Sequence, residues 1–173
     1  MGRRDSRGEG DAEPDVTVEE VIAAPAQMLY DLVSDVTRMG EWSPETTSCR
    51  WVRGATGPRV GARFRGSNRN GWRRWSTSCT VVSAEPGARF SFDVDLPGLR
   101  VSRWTYEFLP EGQGTRVRES WTDLRPRWMD RLGKVVRGVS DTKAHNRAGM
   151  EATLAALRRH GESTTVRHSP GPD

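Results

Sequence analysis

The chain of 173 residues is long enough for one domain with a sizeable core, and 34% of its residues are hydrophobic. Its formal net charge is +4, but the basic residues are spread from Arg3 to Arg167 and no groove-reading motif accompanies them, which disfavours nucleic acid as a partner. No apolar segment approaches the roughly 20 residues that a membrane span requires, and no signal-peptide core opens the chain. The sequence therefore predicts a cytoplasmic protein without membrane insertion, and it does not indicate an oligomeric state.

Both ends of the chain have the composition of disordered segments. Residues 1–14 are mostly Gly, Arg, Asp and Glu, and residues 161–173 are polar with two prolines near the end. One domain is therefore predicted over residues 15–160, between a disordered N-terminal tail and a disordered C-terminal tail.

The domain begins with a strand and two short helices. Val16 to Ile22 predicts the strand. Pro25 fits the first position of a helix, and one side of that helix carries Met28, Leu29, Leu32, Val33 and Val36. Asp35 to Trp42 predicts a short second helix or a turn.

Six further strands are predicted by alternating apolar side chains, with turns that contain glycine or proline between them. Their inward positions are Cys49 and Trp51; Ala62, Phe64 and Gly66; Trp75, Thr77, Cys79 and Val81; Phe90, Phe92 and Val94; Trp104, Tyr106 and Phe108; and Val117, Glu119 and Trp121. Short strands joined in this way predict an antiparallel sheet. The opposite face is expected to remain uncovered, because it carries Arg50, Arg74, Arg103, Arg116 and Arg118.

A long helix is predicted over 126–160, with Gly133 and Gly138 as points where it can kink. Its inner stripe has helical spacing and consists of Val139, Thr142, Lys143, Asn146, Met150, Thr153, Leu154 and Leu157. Because a twisted sheet of this size curls, the helix is the element that fills the curl. The polar half of the stripe fits either a core helix with one end near solvent or a helix whose middle faces a polar-tipped cavity.

Local motifs resemble the START-like helix-grip (SRPBCC) superfamily and, within it, the polyketide cyclase/dehydrase family, over about residues 15–160. The matching words are Ile22-Ala23-Ala24-Pro25, Ser34-Asp35-Val36, Glu41-Trp42-Ser43-Pro44, Gly61-Ala62-Arg63-Phe64, Trp104-Thr105-Tyr106, Glu119-Ser120-Trp121, and Asn146 followed by Gly149-Met150-Glu151-Ala152-Thr153-Leu154. The resemblance implies an α+β fold in which a curved antiparallel sheet wraps around a long C-terminal helix. It also implies a deep apolar cavity between them that holds a hydrophobic small molecule.

Glu119 is the first candidate for catalysis. It is spaced by two from Val117 and Trp121, so all three are expected to face the cavity. Burial would raise the pKa of its carboxyl and leave it able to act as an acid or base, with Tyr106 as a second catalytic candidate. The alternative is a structural ion pair between Glu119 and Arg73 or Arg53.

Aromatic and amide side chains are the candidates for ligand binding. Flat ligands stack well on aromatic walls, although each ring is equally well explained as core filler. Amides can orient a carbonyl or hydroxyl, or can instead bond the backbone. The predicted set is Trp42, Trp51, Phe64, Asn68, Arg73, Trp75, Trp104, Trp121, Asn146 and Met150.

No metal or cofactor is expected. The two cysteines, Cys49 and Cys79, match neither zinc spacing nor a C-x-x-C motif. His145 lies at the edge of the inner stripe and is interpreted as a surface or packing residue. No Ser/His/Asp set and no phosphate-binding glycine loop is apparent.

The predicted function is binding of a small hydrophobic, aromatic or polyketide-like ligand. As a cyclase/dehydratase, the cavity would fold a poly-β-ketone chain, and Glu119 or Tyr106 would assist enolisation or loss of water. The alternative is a non-catalytic carrier of hydrophobic ligands or lipids. Polar groups in the cavity favour the enzyme, and an evenly apolar cavity favours the carrier.

Overall fold

One antiparallel sheet of seven strands, with the order β1-β7-β6-β5-β4-β3-β2, forms the frame of the molecule. The structure is a computed structural model that describes residues 13–96, 99–125 and 141–168. The strands are β1 (Val16–Ile22), β2 (Thr46–Val52), β3 (Arg63–Asn70), β4 (Arg73–Glu85), β5 (Arg89–Leu96), β6 (Leu99–Glu111) and β7 (Gly114–Asp123). The first strand thus pairs with the last, and β2 lies at the opposite edge.

Two short helices follow β1 and one long helix follows β7. They are α1 (Ala26–Ser34), a 3₁₀ helix (Val36–Glu41) and α2 (Thr142–His168). Pro25, predicted as the first helical residue, lies just before α1 with φ −63°. The order of elements and the α+β helix-grip architecture predicted from the sequence are confirmed.

Alternation along the strands places one face of the sheet against the helices. Phe108, Tyr106 and Trp104 of β6 pair directly with Val117, Glu119 and Trp121 of β7. Register shifts interrupt β2, β4 and β5, and such bulges bend a sheet locally. The inner face of the curve therefore carries the core and, as shown below, the cavity.

The sequence predicts that the whole opposite face is exposed to solvent, but in the structure only part of it is. Across β5, β6 and β7, small polar side chains on this face are buried, and so is Asp93, which is 2% exposed. The carboxylate of Asp93 accepts a 2.8 Å hydrogen bond from Arg103 Nε. Carboxylates thus balance arginines on this half of the face, because a buried charge needs a partner.

The long helix ends later than its predicted boundary at His160. Residues 126–140, with Gly133, Gly138 and Val139, lie outside the described residues, but α2 continues eight residues past His160 to His168. Gly161 is buried, and a Cβ there would lie 3.0 Å from Leu29 Cδ2 and 3.2 Å from Ala24 Cβ. A glycine lets α2 pack closely on α1, which no apolar pattern in 161–173 could indicate.

Candidate functional site

A cavity of about 350 Å³ lies between the inner face of the sheet and α2. Its walls come from strands β2 to β7, the segment after the 3₁₀ helix, and one side of α2. Most of the wall is apolar, with aromatic rings from five strands: Phe64, Trp75, Phe92, Trp104, Tyr106 and Trp121. The arrangement follows from the period of two along the strands, which turns alternate side chains to the same face.

Most of the predicted site residues line this cavity: Trp42, Phe64, Asn68, Trp75, Trp104, Tyr106, Glu119, Trp121, Asn146 and Met150. Trp51 and Arg73 do not. The ring of Trp51 packs edge-on against Phe64, with centroids 5.7 Å apart. Phe64 therefore separates Trp51 from the cavity. The Arg73 guanidinium lies 5.0 Å from the centre of the Trp72 ring, at the β3–β4 turn.

Glu119 and Tyr106 form a buried hydrogen-bonded pair on adjacent strands. They are direct cross-strand partners, and Tyr106 Oη donates to Glu119 Oε1 at 2.7 Å. Burial raises the pKa of the Glu119 carboxyl to about 8, although the hydrogen bond from Tyr106 opposes the change. Burial and the neighbouring carboxyl also raise the pKa of Tyr106 well above its usual value. No ion pair joins Glu119 to Arg53 or Arg73 among the described residues, so that alternative is wrong.

Three buried polar atoms in the cavity wall have no hydrogen-bond partner within the described part of the chain. They are Glu119 Oε2, Trp42 Nε1 and Asn146 Nδ2. They come from β7, the end of the 3₁₀ helix and α2, and the Trp42 ring stands edge-on to Tyr106 with centroids 6.2 Å apart. An unpaired buried polar group costs about 1–3 kcal/mol. Two donors and one carboxyl oxygen are therefore available to a ligand inside an otherwise apolar space.

Asn68 differs from Asn146, because its side chain is already bonded at both ends. Its Oδ1 accepts from Thr46 Oγ1 at 3.1 Å and its Nδ2 donates to Thr77 Oγ1 at 3.3 Å. These bonds connect β2, β3 and β4. Asn68 therefore braces the wall that it lines.

Three polar residues that border the cavity were missed by the sequence interpretation: Glu45, Asp95 and Arg125. Glu45 and Arg125 lie outside the strands, where periodicity gives no signal. Asp95 borders the cavity from the outer face of the sheet, because it pairs with Ser78 and its carboxylate accepts a 2.6 Å hydrogen bond from Thr80. His145, interpreted as a surface or packing residue, lines the cavity with its Nε2 2.5 Å from Glu45 Oε1.

The described residues contain neither a cluster of metal ligands nor a membrane-spanning helix. Within residues 13–96, 99–125 and 141–168, no three His, Cys, Asp or Glu side chains are grouped to hold a metal ion. No helix in these ranges is both long and apolar enough to cross a membrane. Cys49 and Cys79 are free thiols.

Comparison with known proteins gives one family and a set of similar structures. The family model described as polyketide cyclase / dehydrase and lipid transport matches residues 13–162. No curated protein matches the chain. A polyketide-cyclase-like protein from Corynebacterium glutamicum is 33% identical, with a TM-score of 0.60, over 91% of this chain and 96% of that one.

Two more distant structures show the same fold. An AHSA1-like protein from Aeromonas hydrophila is 22% identical, with a TM-score of 0.61, over 91% of this chain and 99% of that one. The di-domain ARO/CYC StfQ from the steffimycin biosynthetic pathway is 16% identical, with a TM-score of 0.65, over 87% of this chain and 51% of that one.

Proposed function

Because this chain belongs to the polyketide cyclase / dehydrase and lipid transport family, we propose that it binds a small, flat hydrophobic molecule in the cavity and that Glu119 acts on that molecule as an acid or base. The observation that carries the proposal is the carboxyl of Glu119, which is buried in an apolar wall with one oxygen held by Tyr106 and the other without a partner among the described residues.

The size and walls of the cavity support ligand binding. A volume of about 350 Å³ is within the range of small-molecule sites, which is about 300–1,000 Å³. Trp75 and Trp104 are half-buried at the wall, so part of each ring is open to a ligand. Stacking of an aromatic ligand on such a ring would add about 0.5–1.5 kcal/mol.

The state of Glu119 supports proton transfer. With a pKa of about 8, the carboxyl is mostly protonated at neutral pH but keeps an ionised fraction, so it can both give and take a proton. The carboxylate would remove a proton from a carbon between two carbonyls, and the electron pair would move to a carbonyl oxygen as an enolate. The electron pair of the enolate would then form a carbon–carbon double bond as the bond to a β-hydroxyl breaks, and that hydroxyl would take the proton held by Glu119 and leave as water.

The unpartnered donors support the same chemistry. Trp42 Nε1 and Asn146 Nδ2 line the same cavity and can each donate to a carbonyl oxygen. Such bonds become stronger as negative charge develops on that oxygen. Tyr106 would hold the Glu119 carboxyl in one orientation through its 2.7 Å hydrogen bond.

The carrier remains the second candidate, because most of the wall is apolar. In a carrier, Tyr106 and a protonated Glu119 would only satisfy each other, and replacement of Glu119 by Gln would leave the function intact.

The first experiment is native mass spectrometry of the purified protein, with extraction and identification of any bound compound. Thermal shifts would then be measured with two- to four-ring aromatic polyketides and with long-chain fatty acids. We expect the aromatic compounds to raise the melting temperature. Binding of fatty acids alone would overturn the aromatic part of the proposal, and an empty protein indifferent to both panels would overturn ligand binding.

A matched pair of variants locates the binding site. A Cβ at Gly149 would meet only Pro44, at 3.9 Å, so Gly149→Leu should place a side chain in the cavity and weaken binding. Ala148→Leu adds a side chain at the exposed neighbouring position and should leave binding unchanged. Equal affinities in both variants would place the ligand elsewhere.

A further inference from the structure

The acidic residues of the chain are distributed unevenly, although the basic ones are not. Residues 46–84 contain no Asp or Glu but eight arginines: Arg50, Arg53, Arg59, Arg63, Arg65, Arg69, Arg73 and Arg74. The whole chain has 27 basic and 23 acidic residues, so the rest of it holds 19 basic and 23 acidic residues. One stretch therefore carries a charge of +8 against −4 for the remainder.

This stretch folds into β2, β3 and β4, which form one half of the sheet. On the outer face of that half, Arg50 lies directly opposite Arg65, and Arg69 directly opposite Arg74. All four side chains are exposed, and none forms an ion pair with any described residue. Like charges directly opposite each other on neighbouring strands destabilise a sheet, so this arrangement is unfavourable for the isolated protein.

The other half of the same face shows the contrast. There Arg116 and Arg118 both bond to Glu19, and Arg103 bonds to Asp93.

Protection of a sheet edge against pairing with other sheets does not explain the unpaired arginines. Charges on an edge strand prevent pairing with other sheets, but Arg65, Arg69 and Arg74 lie on the interior strands β3 and β4, and β2 is the edge strand of this half.

The tip of the β3–β4 hairpin adds an exposed tryptophan to this surface. The two-residue loop consists of Gly71, with φ +58°, and Trp72; a glycine at the first loop position suits a type II′ turn. Trp72 is 85% exposed, the highest value among the large hydrophobic residues described. Arg69 and Arg74 flank it on the two strands.

We propose that this hairpin tip, with Trp72, Arg69 and Arg74, docks reversibly onto the surface of an anionic lipid membrane. Tryptophan favours the boundary between headgroups and acyl chains, and each basic side chain near an anionic surface adds to the attraction. A single-stranded nucleic acid would instead stack successive bases on several aromatic side chains, and Trp72 is the one exposed aromatic residue in the described part of the chain.

The position of the tip relative to the cavity gives the docking a consequence. Asn68 and Trp75, a cross-strand pair just inside the hairpin loop, both line the cavity. Docking through Trp72 therefore holds that end of the cavity near the lipid. The exchange of a hydrophobic ligand with the bilayer rests on the proposed function, whereas the docking itself does not.

Co-sedimentation with vesicles of phosphatidylcholine, with and without phosphatidylglycerol, tests the docking. We expect binding only to the anionic vesicles, with a decrease at high salt because exposed charges are screened. Trp72→Ser should abolish most of it, and Arg69→Ser and Arg74→Ser should each weaken it about fivefold. These side chains are exposed, so the variants are expected to fold.

Arg159→Ser is the matched control, because Arg159 is an exposed arginine on α2 and its loss changes the net charge equally. Equal weakening by Arg159→Ser would show an effect of net charge alone and overturn the proposal. Absence of binding to anionic vesicles would overturn it as well, as would binding of a single-stranded oligonucleotide in its place. No ligand is present in the assay, so a negative result leaves the cavity proposal untouched.

Discussion

Tyr106 Oη lies 2.7 Å from Glu119 Oε1, and this bond joins the inward side chains of one cross-strand pair of β6 and β7. The second oxygen of the same carboxyl has no partner among the described residues. The tyrosine thus fixes the orientation of the carboxyl without occupying its whole hydrogen-bonding capacity.

Replacement of Glu119 by Gln should separate binding from catalysis. Gln has nearly the same shape and keeps a partner for Tyr106, but it cannot transfer a proton. Once a ligand that turns over has been identified, we expect Glu119→Gln to bind it with similar affinity and to lower kcat by about a hundred- to ten-thousand-fold. Unchanged turnover would remove Glu119 from the mechanism and favour the carrier.

The stability of the protein should depend on pH through Glu119. The pKa of its carboxyl is about 8 in the folded protein, against an ordinary value of 4.5, so the folded state holds a proton that the unfolded state releases. The contribution to stability is then fully present below about pH 4.5 and is lost as the pH rises to about 8. The total change is on the order of a few kcal/mol.

Urea unfolding of the wild type and of Glu119→Gln over this pH range measures the effect. The free energy of unfolding of the wild type should fall relative to that of the variant, since Gln does not titrate. Tyr106→Phe removes a bond that lowers the pKa of Glu119, so in that variant the fall should extend to higher pH. A constant difference between wild type and Glu119→Gln would contradict the prediction.

The thiol of Cys49 should be a slow reporter of cavity occupancy. Cys49 lines the cavity, and burial raises the pKa of its thiol from 9.0 to about 11. Because the thiolate is the reactive form, we expect alkylation by iodoacetamide at neutral pH to be roughly a hundredfold slower than that of an ordinary cysteine. Cys79 is more deeply buried, and its thiol pKa is raised further.

Peptide mapping by mass spectrometry after timed alkylation distinguishes the two thiols. Cys49 should react before Cys79, and a ligand in the cavity should slow its reaction further. Faster reaction of Cys79 would show that the two environments are assigned in the wrong order.

Two glycines of α2 should respond in opposite ways to replacement by alanine. At Gly161 a Cβ would meet Leu29 Cδ2 at 3.0 Å and Ala24 Cβ at 3.2 Å, so Gly161→Ala should destabilise the protein, with overpacking costing about 1–3 kcal/mol. At Gly149 the nearest atom is 3.9 Å away, so Gly149→Ala should gain up to about 1 kcal/mol from helix propensity. The melting temperatures of both variants test these two expectations. A higher melting temperature for Gly161→Ala would contradict the close packing of α2 on α1.

The sequence predicts the inward position of Glu119 because the side chains of a strand alternate with a strict period of two. The same rule places Trp104, Tyr106 and Trp121 correctly. It does not predict that Tyr106 bonds to Glu119, since that depends on the register between β6 and β7. Trp51 also has the predicted alternation, but it does not reach the cavity, because it lies on the edge strand β2 and Phe64 stands between it and the cavity.

Residues outside the strands could not be placed by the period of two that side chains follow along a strand. Glu45 approaches His145 from the segment between the 3₁₀ helix and β2. The extension of α2 to His168 depends on close packing at Gly161, which is a property of the neighbouring helix rather than of the local sequence.

The pairing of β1 with β7 has a consequence for the order in which the protein assembles. Val18 of β1 lies opposite Glu119 of β7, although the two are separated by most of the chain. A contact between such distant residues forms slowly, because the entropy cost of closing a long loop comes before the favourable energy of the contact. During synthesis β1 must wait for β7 to emerge, whereas β2 to β6 can pair with their neighbours as they appear. The wall that carries Glu119 is therefore the last part of the sheet to form.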